Sequence, residues 1–142
     1  MKILFICKYN AFRSKVAEAY FNKINKNKKI KAFSRGFIMG GNADKSQKKV
    51  AKKLGAEIKG PKRGISLRDL ISADKIIVVA NDVPKIMFDY QLAPIKEKVT
   101  RWRIKDEQKQ NQKNLEKIVK KIIKKVERLV NKLEKRKWKT KN

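Results

Sequence analysis

The sequence holds a single cysteine, Cys7, with Arg13 six positions later and Ser14 directly after it. These residues bound the segment "CKYNAFRS", which lies between a short apolar run and the start of a helical pattern. A loop of this size before a helix can turn its backbone N–H groups, from Lys8, Tyr9, Asn10, Ala11, Phe12, Arg13 and Ser14, inward as a nest for a tetrahedral oxyanion. The positive end of the helix adds to that field, and the Arg13 guanidinium can grip two oxygens of such an anion at once. The same field favours the thiolate form of Cys7, the nucleophilic form. Ser14 can donate its hydroxyl to that thiolate, and Asn10 suits the left-handed backbone that a tight loop requires. The plainer reading makes Cys7 a small core residue and Arg13 a surface charge. Spacing alone is a weak signal; the strand before, the helix after and the adjacent serine strengthen it.

The flanking elements must hold this loop in place. "KILFI" over residues 2–6 ends at Cys7 and reads as a buried parallel strand. From Ser14, the spacing of Val16, Ala17, Ala19, Tyr20, Phe21 and Ile24 predicts an amphipathic helix ending near "NKNKK". A second strand is expected over Ile30–Ser34, running into the glycine-rich loop "RGFIMGGNAD". Asp44 or Ala43 starts a helix containing Val50, Ala51 and Leu54, stopped by Gly55. Ser66 caps a short helix reaching Leu70 or Ser72. "KIIVVA" over 75–80 is β-branched and apolar on both faces, as a central strand should be. A short helix after Pro84 and a weak strand near Lys98–Arg101 follow. Finally, Leu115, Ile118, Val119, Ile122, Ile123, Val126, Leu129, Val130 and Leu133 form one helical stripe, read as a terminal helix docked on the sheet rather than on a membrane or partner. Residues 136–142 carry no pattern and are expected to be a frayed basic tail beyond a domain over 1–135.

Strands alternating with helices imply an α/β fold with a parallel sheet, right-handed crossovers and helices on both faces. Ligands of such folds sit beyond the carboxyl ends of the strands, where Cys7 lies. Asp82, after the third strand, ends on the same side. Asp106 follows the weak strand end Trp102–Ile104 in a loop before the last helix, and by itself reads as an exposed loop carboxylate.

Composition narrows the chemistry. Without histidine, no Ser-His or Cys-His pair can form, and one cysteine excludes an intrachain disulfide and a cysteine-cluster metal site. No metal or cofactor is expected. No apolar run approaches the roughly 20 residues of a membrane span, and "ILFI" is too short for a signal-peptide core, so a cytoplasmic location is expected. The formal charge of +27 over 142 residues would attract nucleic acid, acidic proteins or phosphorylated ligands. A lysine-rich composition explains it equally well.

The segment "ILFICKYNAFRSKVAEAYF" resembles the amino-terminal signature of low-molecular-weight protein tyrosine phosphatases and the related thioredoxin-linked arsenate reductases. The likeness continues through "AFSRGFIMGGNAD", "LISADKIIVVAND" and "VTRWRIKD" into the closing helix. It implies a three-layer sandwich around a four-stranded parallel sheet in the order 2-1-3-4. It also implies a phosphomonoester hydrolase in which Cys7 attacks phosphorus, Arg13 and the loop hold the equatorial oxygens, and water cleaves the phosphocysteine. The resemblance places the proton-donating acid at Asp106 and an acid supporting the loop at Asp82. Expected partners are a phosphorylated protein or small aryl phosphate, with phosphate, vanadate or arsenate as oxyanion ligands.

Departures from the pattern bear on selectivity. Tyr9 stands where the family usually has glycine, and Phe12 where a second cysteine is common. Glu107 replaces the usual proline after the acid, and "QKQNQ" replaces an aromatic pair that walls the phosphotyrosine slot, for which Phe37, Tyr9 or Tyr90 could substitute. Arsenate reduction by a cysteine relay lacks its two further cysteines and would need an external thiol. The remaining alternative is a non-catalytic basic module binding nucleic acid, for which no recognised motif is present.

Overall fold

A computed structural model describes residues 1–84, 88, 94–106 and 111–141, with side chains to residue 136. The chain runs β1 (Lys2–Cys7), α1 (Arg13–Ile24), β2 (Lys31–Gly36), α2 (Lys45–Lys53), α3 (Leu67–Ser72), β3 (Lys75–Val78), β4 (Val99–Arg101) and α4 (Gln112–Lys141), with a 3-10 turn at Lys96–Lys98 directly before β4. The sheet is wholly parallel in the order β2-β1-β3-β4.

β1 is central because it can afford no polar face. Ile3, Leu4, Phe5 and Ile6 are all fully buried, each stabilising the fold by roughly 1.5–3 kcal/mol. The two-residue period splits β1 and β3 between two cores. Ile3, Phe5 and Ile77 pack with Val16, Ala17 and Phe21 of α1, Val50 and Ala51 of α2, and the apolar stripe of α4. Leu4, Ile6, Ile76 and Val78 pack on the other face with Leu70 of α3, Phe88 and Ile95. The Phe5 ring sits between Phe21 and Trp102, with centroids 6.1 and 5.7 Å away, so Trp102 is a core anchor.

Two helices begin where short polar side chains can close them. Asp44 accepts from the Gln47 amide while the Gln47 side chain accepts from the Asp44 amide, and Ser66 and Asp69 do the same for α3. α1 differs: Phe12 occupies its N-cap with no capping hydrogen bond, and its first turn contains no acid.

Three elements end elsewhere than expected. β2 begins at Lys31 and extends to Gly36, because its ladder with β1 continues as far as Cys7. β3 stops at Val78, where its pairing with β1 and β4 ends. α4 runs to Lys141, past the point at which a frayed tail over 136–142 is expected; its lysine-rich end continues the helix despite lacking an apolar stripe. The helix expected after Pro84 falls mostly outside the described residues. No described helix is long and apolar enough to cross a membrane.

Candidate active site

Cys7 is the last residue of β1, Arg13 the first of α1, and the loop between them reverses the chain at the carboxyl end of the sheet. Asn10 takes a left-handed conformation (φ 57°) and is fully buried. Its side chain holds that turn from inside. Nδ2 donates to Ser14 Oγ and to Ser34 Oγ, both at 2.9 Å, while Oδ1 accepts from the Arg63 amide at 2.9 Å. Ser34 Oγ in turn donates to Glu18, whose carboxylate lies 3.9 Å from the Lys15 ammonium. Among the described residues, no buried side-chain nitrogen or oxygen lacks a partner.

Cys7 Sγ lies 3.0 Å from Ser14 Oγ. Asn10 donates to that oxygen, and when Cys7 is a thiolate, which only accepts, the Ser14 hydroxyl is the donor of this pair and steadies the charge.

Arg13 is almost fully buried, and its guanidinium is clamped from two directions. Nη1 donates to the Ile104 carbonyl at 2.8 Å; Nη2 donates to both oxygens of Asp82, at 3.0 and 3.2 Å. Asp106 stands 3.9 Å from Nε. A buried guanidinium needs such partners, since desolvating an unpaired charge costs several kcal/mol. β3 delivers Asp82 and β4 delivers Ile104 and Asp106, which explains why two separate strand ends converge on one arginine.

Cys7, Tyr9, Ala11, Phe12, Arg13 and Asp106 line one small pit of about 20 Å³, together with Gly41, Asn42 and Gln47. A larger cleft of about 620 Å³ lies elsewhere, walled by Lys15, Glu18, Lys23, Lys52, Glu57 and Lys59. Chemistry rather than volume distinguishes the pit, because it alone joins the thiol, the clamped guanidinium and a carboxylate among the described residues.

Asp82 is absent from the pit's lining and engaged by Arg13; Asp106 is on the wall. The Lys8 ammonium lies over the Tyr9 ring, 5.1 Å from its centroid, instead of lining the pit. Of the three aromatic substitutes considered for the slot, Tyr9 is at the pit, Phe37 packs against the opposite core, and Tyr90 falls outside the described residues, as do Glu107 and most of "QKQNQ".

Sequence reasoning missed Ser34, Glu18 and Gly36. Ser34 carried a signal, a polar residue on the buried side of a strand. Gly36 carried only its type. A Cβ there would lie 2.7 Å from the Tyr9 carbonyl carbon and 2.8 Å from the Asn10 nitrogen, so only glycine lets β2 press against the loop. Gly41, with φ 54°, does likewise for the Tyr9 ring, which a Cβ would meet at 2.9 Å.

The family model described as low molecular weight phosphotyrosine protein phosphatase matches residues 2–139. Among solved structures, the chain is similar to a protein tyrosine phosphatase from Entamoeba histolytica, with 25% identity, 96% of this chain and 99% of that chain covered, and a TM-score of 0.79. It is similar to the arsenate reductase from Archaeoglobus fulgidus, with 26% identity, 91% and 98% covered, and a TM-score of 0.71. The YwlE arginine phosphatase from Geobacillus stearothermophilus shares the fold at 20% identity, with 97% and 96% covered and a TM-score of 0.83. No curated protein matches the chain.

Proposed function

Because the chain belongs to the low molecular weight phosphotyrosine protein phosphatase family, we propose that it is a phosphomonoester hydrolase working through a phosphocysteine on Cys7. The observation that carries this reading is the pit itself, with a thiol 3.0 Å from a serine hydroxyl beside a buried, doubly clamped arginine.

In the first step, the Cys7 thiolate attacks phosphorus as the P–O bond to the leaving group breaks. Asp106 gives its proton to the departing oxygen. Arg13 and the loop amides hold the equatorial oxygens, where charge must be met in the transition state. In the second step, Asp106 takes a proton from water as that water attacks phosphorus. The P–S bond then breaks, and the Ser14 hydroxyl stabilises the returning thiolate. Asp82 has a positioning role: its fork fixes the plane of the guanidinium.

Tyr9 supplies an aromatic wall at the mouth, backed by Gly40 and Gly41, which favours a flat aryl phosphate such as phosphotyrosine. Inorganic phosphate, vanadate and arsenate are the small oxyanions the loop would hold, and the activity suits a cytoplasmic enzyme. A thiol-coupled arsenate reduction is the second reading, supported by the Archaeoglobus fulgidus likeness; it would need an external thiol to resolve Cys7.

Para-nitrophenyl phosphate hydrolysis at mildly acidic pH, measured beside Cys7→Ser, tests the reading. Activity that vanishes in the variant and is inhibited by orthovanadate supports it. Absence of hydrolysis together with arsenate-dependent consumption of added thiol would replace it with the second reading.

A further inference from the structure

Charge on α4 is sorted by flank. Its three acids, Glu116, Glu127 and Glu134, are separated by 11 and 7 residues, close to three and two whole turns, so they share one side of the helix. Glu116 pairs with Lys53 of α2 at 3.3 Å, and Glu127 accepts from the Tyr20 hydroxyl of α1 at 3.3 Å. Glu134 lies beside Asn25 and Ile30 in a crevice on that side. The other flank, facing β3 and β4, carries Lys125, Arg128 and Lys132.

Between that flank and the sheet edge lies a groove of about 230 Å³, lined by Lys75, Ile77, Thr100, Trp102, Lys125, Arg128, Leu129 and Lys132. Four side chains on this lining are cationic and none is acidic. Thr100 adds a hydroxyl, and the Lys125 ammonium sits 6.0 Å from the Trp102 ring centroid. The groove lies away from the catalytic pit: Lys75 pairs in register with Ile3, at the opposite end of β1 from Cys7.

We propose that this groove is a binding site for an oligophosphate anion of two or three linked phosphates. Converging cations without a carboxylate repel one another, and a multivalent anion relieves that repulsion while filling the space between them. A single orthophosphate would leave most of the groove and some of the cations unused. Stacking of a nucleobase is disfavoured, because Trp102 packs against Phe5 on the core side and carries Lys125 over its ring. Lys75 is the most enclosed of these cations by its place in β3. Burial first, then the nearby charges of Arg136 and Lys132, lower its pKa from the ordinary lysine value.

The test is a titration of the full-length protein with inorganic triphosphate, following the Trp102 indole N–H resonance, assigned with Trp138→Phe. A saturating shift is expected. It should require at least tenfold more triphosphate in Arg128→Glu/Lys132→Glu, whose exposed positions leave the core intact, and be little changed in Lys120→Glu/Lys124→Glu. The latter pair makes the same change of charge on the solvent face of the same helix. Hydrolysis of para-nitrophenyl phosphate should be unaltered in both. No saturating shift, equal weakening by both pairs, or a response to single-stranded RNA but not triphosphate would each overturn the proposal.

Discussion

Helix α3 begins on Ser66, whose hydroxyl and Asp69 partner satisfy the first turn from within; α1 begins on Phe12, whose side chain offers its first turn no hydrogen bond. The contrast runs deeper than the cap. α3 places Asp69 in its first turn, where the helix dipole rewards negative charge, whereas α1 opens with Arg13, Ser14 and Lys15 and no acid. By the rules that stabilise isolated helices, α1 starts badly. Its beginning makes sense if an external oxyanion is the cap. One helix start serves the fold and the other serves a ligand, and the residue types at the two starts differ accordingly.

Substitutions can separate these two uses. Cys7→Ser should reduce phosphomonoester hydrolysis to background while leaving the unfolding midpoint in denaturant nearly unchanged. Arg13→Lys should lower kcat/KM by about 10²–10³-fold, because lysine cannot reach Asp82 and the Ile104 carbonyl while also gripping an anion; some loss of stability should accompany it. Asp106→Asn should lower kcat by about 10²-fold. It should also change the shape of the pH–rate profile, because the group that donates a proton in the first step and accepts one in the second has been removed. A profile unchanged in shape would remove Asp106 from the role of acid. Ser66→Ala should do the reverse of Cys7→Ser, costing about 1 kcal/mol of unfolding free energy with kcat unaffected. If Ser66→Ala instead impaired hydrolysis, the division between the two helix starts would fail.

Features governed by neighbours in sequence were legible before the structure. β1 and the β3 segment announced themselves as unbroken apolar runs, Ser66 as a cap, Asp44 as one of two candidate helix starts beside Ala43, and Cys7, Arg13 and Ser14 as a group through their spacing. Features set by distant neighbours were not legible. Nothing near Arg13 reveals that the Ile104 carbonyl holds it, since any residue presents the same carbonyl. Nothing near Gly36 reveals the loop backbone pressed against it. The end of α4 lies past the expected point because apolar periodicity marks where a helix is buried rather than where it stops. Asp106 lay between these cases: its position before the last helix was visible, but only the family resemblance separated it from an ordinary loop carboxylate.

The clamp on Arg13 also has a consequence for biogenesis. Its partners lie 69 and 91 residues downstream, and the turn at Asn10 depends on Ser34 and on the Arg63 amide, 24 and 53 residues away. During synthesis from the amino terminus, Cys7 and Arg13 are made well before the groups that fix them. Closing such long loops is slow and is favoured only once the intervening strands have paired. A nascent chain that has not yet reached Ile104 therefore carries the complete Cys7–Arg13 segment without a formed site, so catalytic competence should arise late, with the docking of β4.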